Sequence, residues 1–249
     1  MNDETATAAP VWERRGEKVS AIIAREIVRD IAKRGIGCGE KLESESEMLQ
    51  RYQVARASLR EALRILEVHG LVRMKPGPGG GPVVADVDSR EFGRMATLFF
   101  QVLDIRFNEL VETRLILEPV LARLAAERHD PEENEQLRAI VEEGAQAQDT
   151  AEWIRVSNAF HAKVLSMSGN GLLDVFSRAM KDIFTDRTSG VFSSKKWDHV
   201  KKVHSEIAEA IIDGDADVAE QLMRDHMTEY ANAVGKREPN LMNEVVDWR

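Results

Sequence analysis

Residues 44–84 read SESEMLQRYQVARASLREALRILEVHGLVRMKPGPGGGPVV. Ser44 and Glu47 have the spacing of a capping box, in which two side chains satisfy orphan amides at a helix start. Met48, Leu49 and Tyr52 give the short helix that follows one apolar side. Gln53-Val54-Ala55 breaks the pattern. A third helix is then expected from about Arg56 to Val68, with Leu59, Leu63 and Leu66 inward and Gly70 placed to end it. Leu71–Met74 and Val83–Ala85 flank the run Lys75–Pro82, which after its lysine is only proline and glycine. Two short apolar segments around such a run predict a β-hairpin with a tip of little side-chain bulk. An ordinary linker is the alternative.

Upstream, Val19, Ile22, Ile23, Ile27 and Ile31 recur with helical spacing over residues 17–34, and Gly35, Gly37 and Gly39 stop the helix. Three short helices and a hairpin, over residues 17–86, make a winged helix-turn-helix. In such a unit the third helix enters the major groove and reads bases from near its N-terminus. Arg56, Arg60 and Arg64 recur every four residues opposite the leucines, and Ser58 stands near the helix start. Arginine can bond guanine bidentately or neutralise phosphate. Arg73 and Lys75 lead into the wing. A basic helix face is otherwise merely solvated, but a glycine-rich wing beside it favours the DNA reading.

The chain carries a net charge of −9 over 249 residues, which taken alone argues against nucleic acid. The charge is uneven. Residues 1–85 hold about 14 basic and 12 acidic side chains, so the whole of the net negative charge lies beyond them. No apolar run approaches the ~18 residues of a membrane span, and no signal layout opens the chain. One cysteine, Cys38, excludes an internal disulfide. These features predict a cytoplasmic protein with no membrane association. Residues 1–16 are expected to be a flexible tail.

From Asp88 the pattern is helical almost to the end. Helices are predicted at 89–103, 107–128, 131–147, 150–168, 170–187, 195–213 and 215–235, which with their short breaks make an antiparallel bundle over 87–236. The fold class is therefore mainly α. Asp86–Arg90 is the expected linker, and 237–249 the expected loose C-terminal tail.

Residues 38–85 resemble the GntR family of bacterial transcriptional regulators, most closely in LREALRILEVHGLV. The resemblance implies DNA contacts at Arg56, Ser58 and Arg60, with the wing glycines Gly79 and Gly80 in the minor groove. Three positions depart from the family pattern. Glu43 occupies a usual proline, Ser46 a usual phosphate-contacting arginine, and Ala55 a usual Ser or Thr that would cap the third helix. A lost cap costs roughly 1 kcal/mol. Most of residues 90–235 resemble the effector (FCD) domain of the FadR-type subgroup, on ELVETRLILEPVLARLAA at 109–126, AFHAKVLSMSGN at 159–170, and His204 and His226. In many relatives those positions line a pocket where three His and one Asp hold a metal beside a small organic acid.

The residues can be weighed independently. His69 and His129 end helices, and His199 lies in a polar segment. His161, His204 and His226 point toward apolar faces of three helices. One inward histidine is usually a satisfied core residue. Three together suit Zn²⁺ or Ni²⁺. The family's usual Asp position is Ser157, and Asn158 beside it is rotated about 100° away. The candidate metal site is thus three His with water or an effector carboxylate, or it holds no metal. Arg114 either pairs with an effector carboxylate or with Glu118 one turn on. The reading is a homodimeric DNA-binding regulator, most simply a repressor of a double-stranded operator released by a small organic acid. The alternatives are a metal-binding helical-bundle enzyme and a DNA-binding protein with no ligand.

Overall fold

In a computed structural model, which describes residues 17–77, 79–86, 89–188 and 197–247, the apolar rhythm of the first segment becomes α1 (Val19–Arg34). Gly35 ends it in the left-handed region at φ 63°. The second helix, α2 (Glu45–Tyr52), starts on the expected capping box: the Glu47 amide donates to Ser44 Oγ, and the Ser44 amide donates to Glu47 at 2.8 Å. Gln53 turns the chain at φ 50° into α3 (Arg56–Val68). Ala55 makes no side-chain cap bond there. Past the end of α3, Gly70 takes φ 67° and the Leu71 amide reaches back to Leu66 O at 2.9 Å. One core joins the three helices: Ile23, Ala24 and Ile27 of α1, Met48 of α2, and Leu59, Ala62, Leu63 and Leu66 of α3, with Val72 beneath.

Strands β1 (Val72–Lys75) and β2 (Gly81–Val84) pair antiparallel, Val72 opposite Val84 and Lys75 opposite Gly81. Glu40–Leu42 runs along the other edge of β2. Leu42 N donates to Pro82 O, Val84 N to Glu40 O, and Lys41 bridges Val83. At the wing tip a Cβ on Gly80 would lie 2.2 Å from Lys75 O, so only glycine closes this turn.

The chain divides into two compact units between Glu91 and Phe92. The second contains α4 (Ser89–Val102) from Phe92 on, α5 (Phe107–Arg128), α6 (Pro131–Gln146), α7 (Thr150–Met167), α8 (Gly171–Thr188), α9 (Trp197–Ile212) and α10 (Ala216–Arg237). Their ends fall within two residues of the predicted ones, except that positions 195 and 196, predicted to start α9, lie outside the described residues. One core gathers Ala122, Leu137, Phe160, Val164, Ile207, Ile211, Met223 and Met227. Another gathers Phe107, Leu110, Met180, Phe184 and Val234.

Two expectations need correction. Ser89 and Arg90, expected in the linker, belong to the first turn of α4. Positions 87 and 88 of that linker, and the tail expected over 1–16, lie outside the described residues. Nor is the stretch after α10 loose up to residue 247. It forms a 3₁₀ turn (Leu241–Asn243), and Leu241 and Val246 are buried in the core of Phe107 and Leu110. Val246 N donates to Ile105 O at 2.8 Å, and Phe107 N to Glu244 O at 3.1 Å. Too few apolar residues stand there to show a period, yet each finds a partner across the bundle. Leu241→Ala is expected to cost about 2–5 kcal/mol by urea denaturation, the usual loss for a buried leucine. A change under about 0.5 kcal/mol would mean that this segment does not hold the bundle together.

Candidate nucleic-acid interface and metal centre

The arginines of α3 stand on its solvent face because Leu59, Ala62, Leu63 and Leu66 take the inner one. Arg56, Arg60 and Arg64 are all exposed, and Ser58 is half-buried one turn in. Glu45, at the first turn of α2, lies 3.2 Å from Nε of both Arg56 and Arg60. It draws the two guanidiniums together. Exposed pairs of this kind are worth little, so a phosphate can displace Glu45 cheaply. Arg64 has no ion pair among the described residues. Arg73 and Lys75 are exposed on β1, and Gly79 and Gly80 are exposed at the tip. Lys41 donates to Gly79 O and braces that tip. No local pattern in the sequence marks Lys41 or Glu45, because both make their contacts across turns rather than along a helix.

In the bundle, α7 supplies His161, α9 His204 and α10 His226. All three are buried, at 7%, 4% and 8% exposure. Phe160 stacks on the His204 ring at 4.1 Å between centroids, and Trp153 lies on it at 5.8 Å. His161 and His226 are stacked, and His204 meets both edge-on. The packing thus fixes three ring orientations. His226 Nε2 lies 3.2 Å from His204 Nε2 and 3.3 Å from His161 Nε2, and the three donors fall within 4.8 Å of one another.

Behind them, Glu118 Oε2 meets His161 Nδ1 at 2.7 Å, and Glu118 Oε1 takes Arg114 Nε at 2.6 Å, both buried. Burial alone would raise the Glu118 carboxyl, but Arg114 and then His161 outweigh it and hold it below the usual carboxylate range. An ionised carboxylate only accepts, so His161 Nδ1 carries the proton in this contact. Its other ring nitrogen, Nε2, faces the cluster. Burial, then the neighbouring His161, pushes His226 down to about 3. Burial, with His226 and His161, pushes His204 well below its ordinary value. Both are neutral at pH 7.

This donor set fits a divalent cation. A single nitrogen has one proton or one lone pair for hydrogen bonding, so His226 Nε2 cannot serve both neighbours. One cation satisfies all three. Ligand nitrogens at ~2.0–2.1 Å from a tetrahedral ion lie roughly 3.3–3.4 Å apart, close to the two spacings made by His226, and the His161–His204 pair would have to close to the same distance around an ion. Glu118 would orient a ligand ring from behind, as carboxylates commonly do for metal-bound histidines.

The other expected residues fall as follows. Ser157 and Asn158 are half-buried on α7. Arg114 forms the internal pair with Glu118 and lies against the rings of Tyr230 and Phe184, 5.2 and 5.7 Å away. His69 and His129 are the C-caps of α3 and α5, and His199 is exposed beside Glu229. The second contact of Glu118 is invisible in the sequence: its spacing from Arg114 can be read there, but its reach to His161 across the bundle cannot.

Comparison with known proteins follows this division. Residues 20–80 match the model of bacterial regulatory proteins, gntR family, and residues 109–229 match the FCD domain. The HTH-type transcriptional regulator LutR of Bacillus subtilis is 30% identical, over 76% of this chain and 89% of its own. The HTH-type transcriptional repressor NanR of Enterobacter sp. is 29% identical, over 85% and 83%. In fold, the chain is similar to Streptococcus agalactiae GntR, with a TM-score of 0.72 at 22% identity, covering 86% of this chain and 99% of that one.

Proposed function

Because the chain belongs to the gntR family of bacterial regulatory proteins, with a winged helix-turn-helix and an FCD domain, and is a DNA-binding transcriptional regulator rather than an enzyme, we propose that it is a repressor whose grip on its operator is set by a small organic acid and a divalent metal in the helical domain. The first unit, with its winged helix-turn-helix, reads the DNA, and the helical unit from Phe92 on binds the effector and dimerises. The single observation carrying the effector half is the convergence of His161, His204 and His226 in a buried site whose donor set suits a divalent cation.

Arg56, Ser58, Arg60 and Arg64 meet the major groove, Arg73 and Lys75 the flanking phosphates, and Gly79 and Gly80 the minor groove. These residues are exposed and cationic or free of bulk, except for the half-buried Ser58. Zn²⁺ or Ni²⁺ is held by the three imidazoles, and an effector carboxylate completes the shell. No described helix is long and apolar enough to cross a membrane. A two-fold homodimer is expected to choose a two-fold operator. Selection of bound duplexes from a random pool tests this. Inverted half-sites about one or two helical turns apart are expected, and recovery of single half-sites only would overturn the dimer. Effector control works by a difference in affinity for two arrangements of the dimer. It predicts that the selected duplex is released when a matching acid is added.

A further inference from the structure

The wing carries a third strand that does not belong to the hairpin. Glu40–Leu42 lies antiparallel along the second edge of β2, and Lys41 stands opposite Val83. On the other side of β2, Arg73 of β1 stands opposite the same Val83. Residues directly opposite one another in an antiparallel pair present their side chains on one face. Lys41, Val83 and Arg73 therefore form one row across the sheet. Side chains two apart along a strand also share a face, which adds Lys75. The partners of Arg73 and Lys75 on β2 are Val83 and Gly81, so no acidic side chain interrupts this face within the sheet.

Three exposed cations thus lie together on one side of the wing. Two come from the hairpin. The third reaches it from 38 residues before Gly79, whose carbonyl accepts from the Lys41 ammonium. An ammonium has three protons to donate, and this is the one side-chain bond that Lys41 makes among the described residues. The carboxylates nearest to it in the chain are committed elsewhere. Glu40 takes the Gly37 amide at 3.1 Å, and Glu43 pairs with Arg34 and Arg51 at 3.0 and 3.2 Å. Arg73 and Lys75 make no ion pair among the described residues.

Like charges gathered on one face repel. A duplex, with one negative charge per ~1.7 Å of its axis, relieves that repulsion. Lysine suits the place, because its ammonium is a compact point charge whose donors turn freely on a flexible stem. It can hold a carbonyl and a phosphate oxygen at once.

We infer that Lys41 binds a backbone phosphate of the duplex beside the wing tip, completing a three-cation face with Arg73 and Lys75. With one proton on Gly79 O and another on the phosphate, it ties the position of the glycine tip to the strand next to it. The inference rests on the reading of Arg73 and Lys75 as phosphate contacts.

The test measures the affinity of the full chain across a potassium chloride series, for the selected duplex and for an unrelated one. Removing one phosphate contact lowers the slope of log affinity on log salt by about 0.9. Lys41→Gln keeps a donor for Gly79 O but no charge. It is expected to lower the slope by that amount and to weaken both duplexes by the same factor. Lys41→Arg should restore the wild-type slope. A Lys41→Gln protein that binds more weakly with an unchanged slope would show a tip brace only and overturn the inference. So would one that binds as wild type does. Arg73→Gln and Lys75→Gln separate this inference from the reading beneath it. If those two lower the slope and Lys41→Gln does not, Lys41 is struck from the face and the reading stands. If Lys41→Gln alone lowers it, the phosphate contact of Lys41 stands and the assignment of the other two falls.

Discussion

Replacing Arg56 and Arg60 together with alanine is expected to weaken binding to a selected duplex by about a thousandfold. Each guanidinium that reads a base is worth about 1–3 kcal/mol, and a thousandfold corresponds to about 4 kcal/mol. Both side chains are two-thirds exposed and, among the described residues, pair only with Glu45, so the fold should survive. Urea unfolding should shift by no more than about 0.5 kcal/mol, as for other surface positions. The single variants separate two modes of binding. An arginine that neutralises a phosphate lowers the slope of log affinity on log salt by about 0.9 when it is removed. An arginine that reads a base relaxes sequence choice instead. A double variant whose affinity falls by less than about fivefold would remove α3 from the groove.

The second large effect concerns the histidines. With metal at about a thousand times its dissociation constant, binding to the folded chain alone stabilises it by about 4 kcal/mol. For a chain of this size that is about 8–16 °C in thermal midpoint, at about 2–4 °C per kcal/mol. His161→Ala/His204→Ala should abolish both the rise and the near-stoichiometric zinc or nickel found by elemental analysis. Metal retained in the double variant would refute the site. The depressed His226 and His204 also set a pH dependence. Their folded-state pKa values lie below the unfolded value near 6.5, so the unfolded chain takes up protons first as the pH falls. Metal-free protein should therefore lose stability progressively from about pH 6.5 downward.

Much of this is legible in the residues themselves. The Ser44–Glu47 box, the glycine stops and the leucine period of α3 are local signals, and each forms as the sequence predicts. The three histidines are legible as a set because each sits on an apolar face of its own helix. What stays hidden are contacts that no local period encodes. Glu40–Leu42 becomes strand-like only because β2 offers it an edge. Glu45 gathers two arginines of another helix. Glu118 looks like half of a helical ion pair, yet it is also the group that orients His161 from behind.

The pairing of the segment after α10 with the turn before α5 bears on how the molecule is made. The bond from Arg106 to the Asn243 carbonyl joins positions 137 residues apart. Chains emerge from the ribosome in order, and contacts so distant form late. The DNA-reading unit can therefore mature while the bundle is still being synthesised. The bundle closes only once residues 241–246 have left the exit tunnel and Val246 has reached Ile105. Translation thus delivers the two activities in sequence, the reader first and its control last.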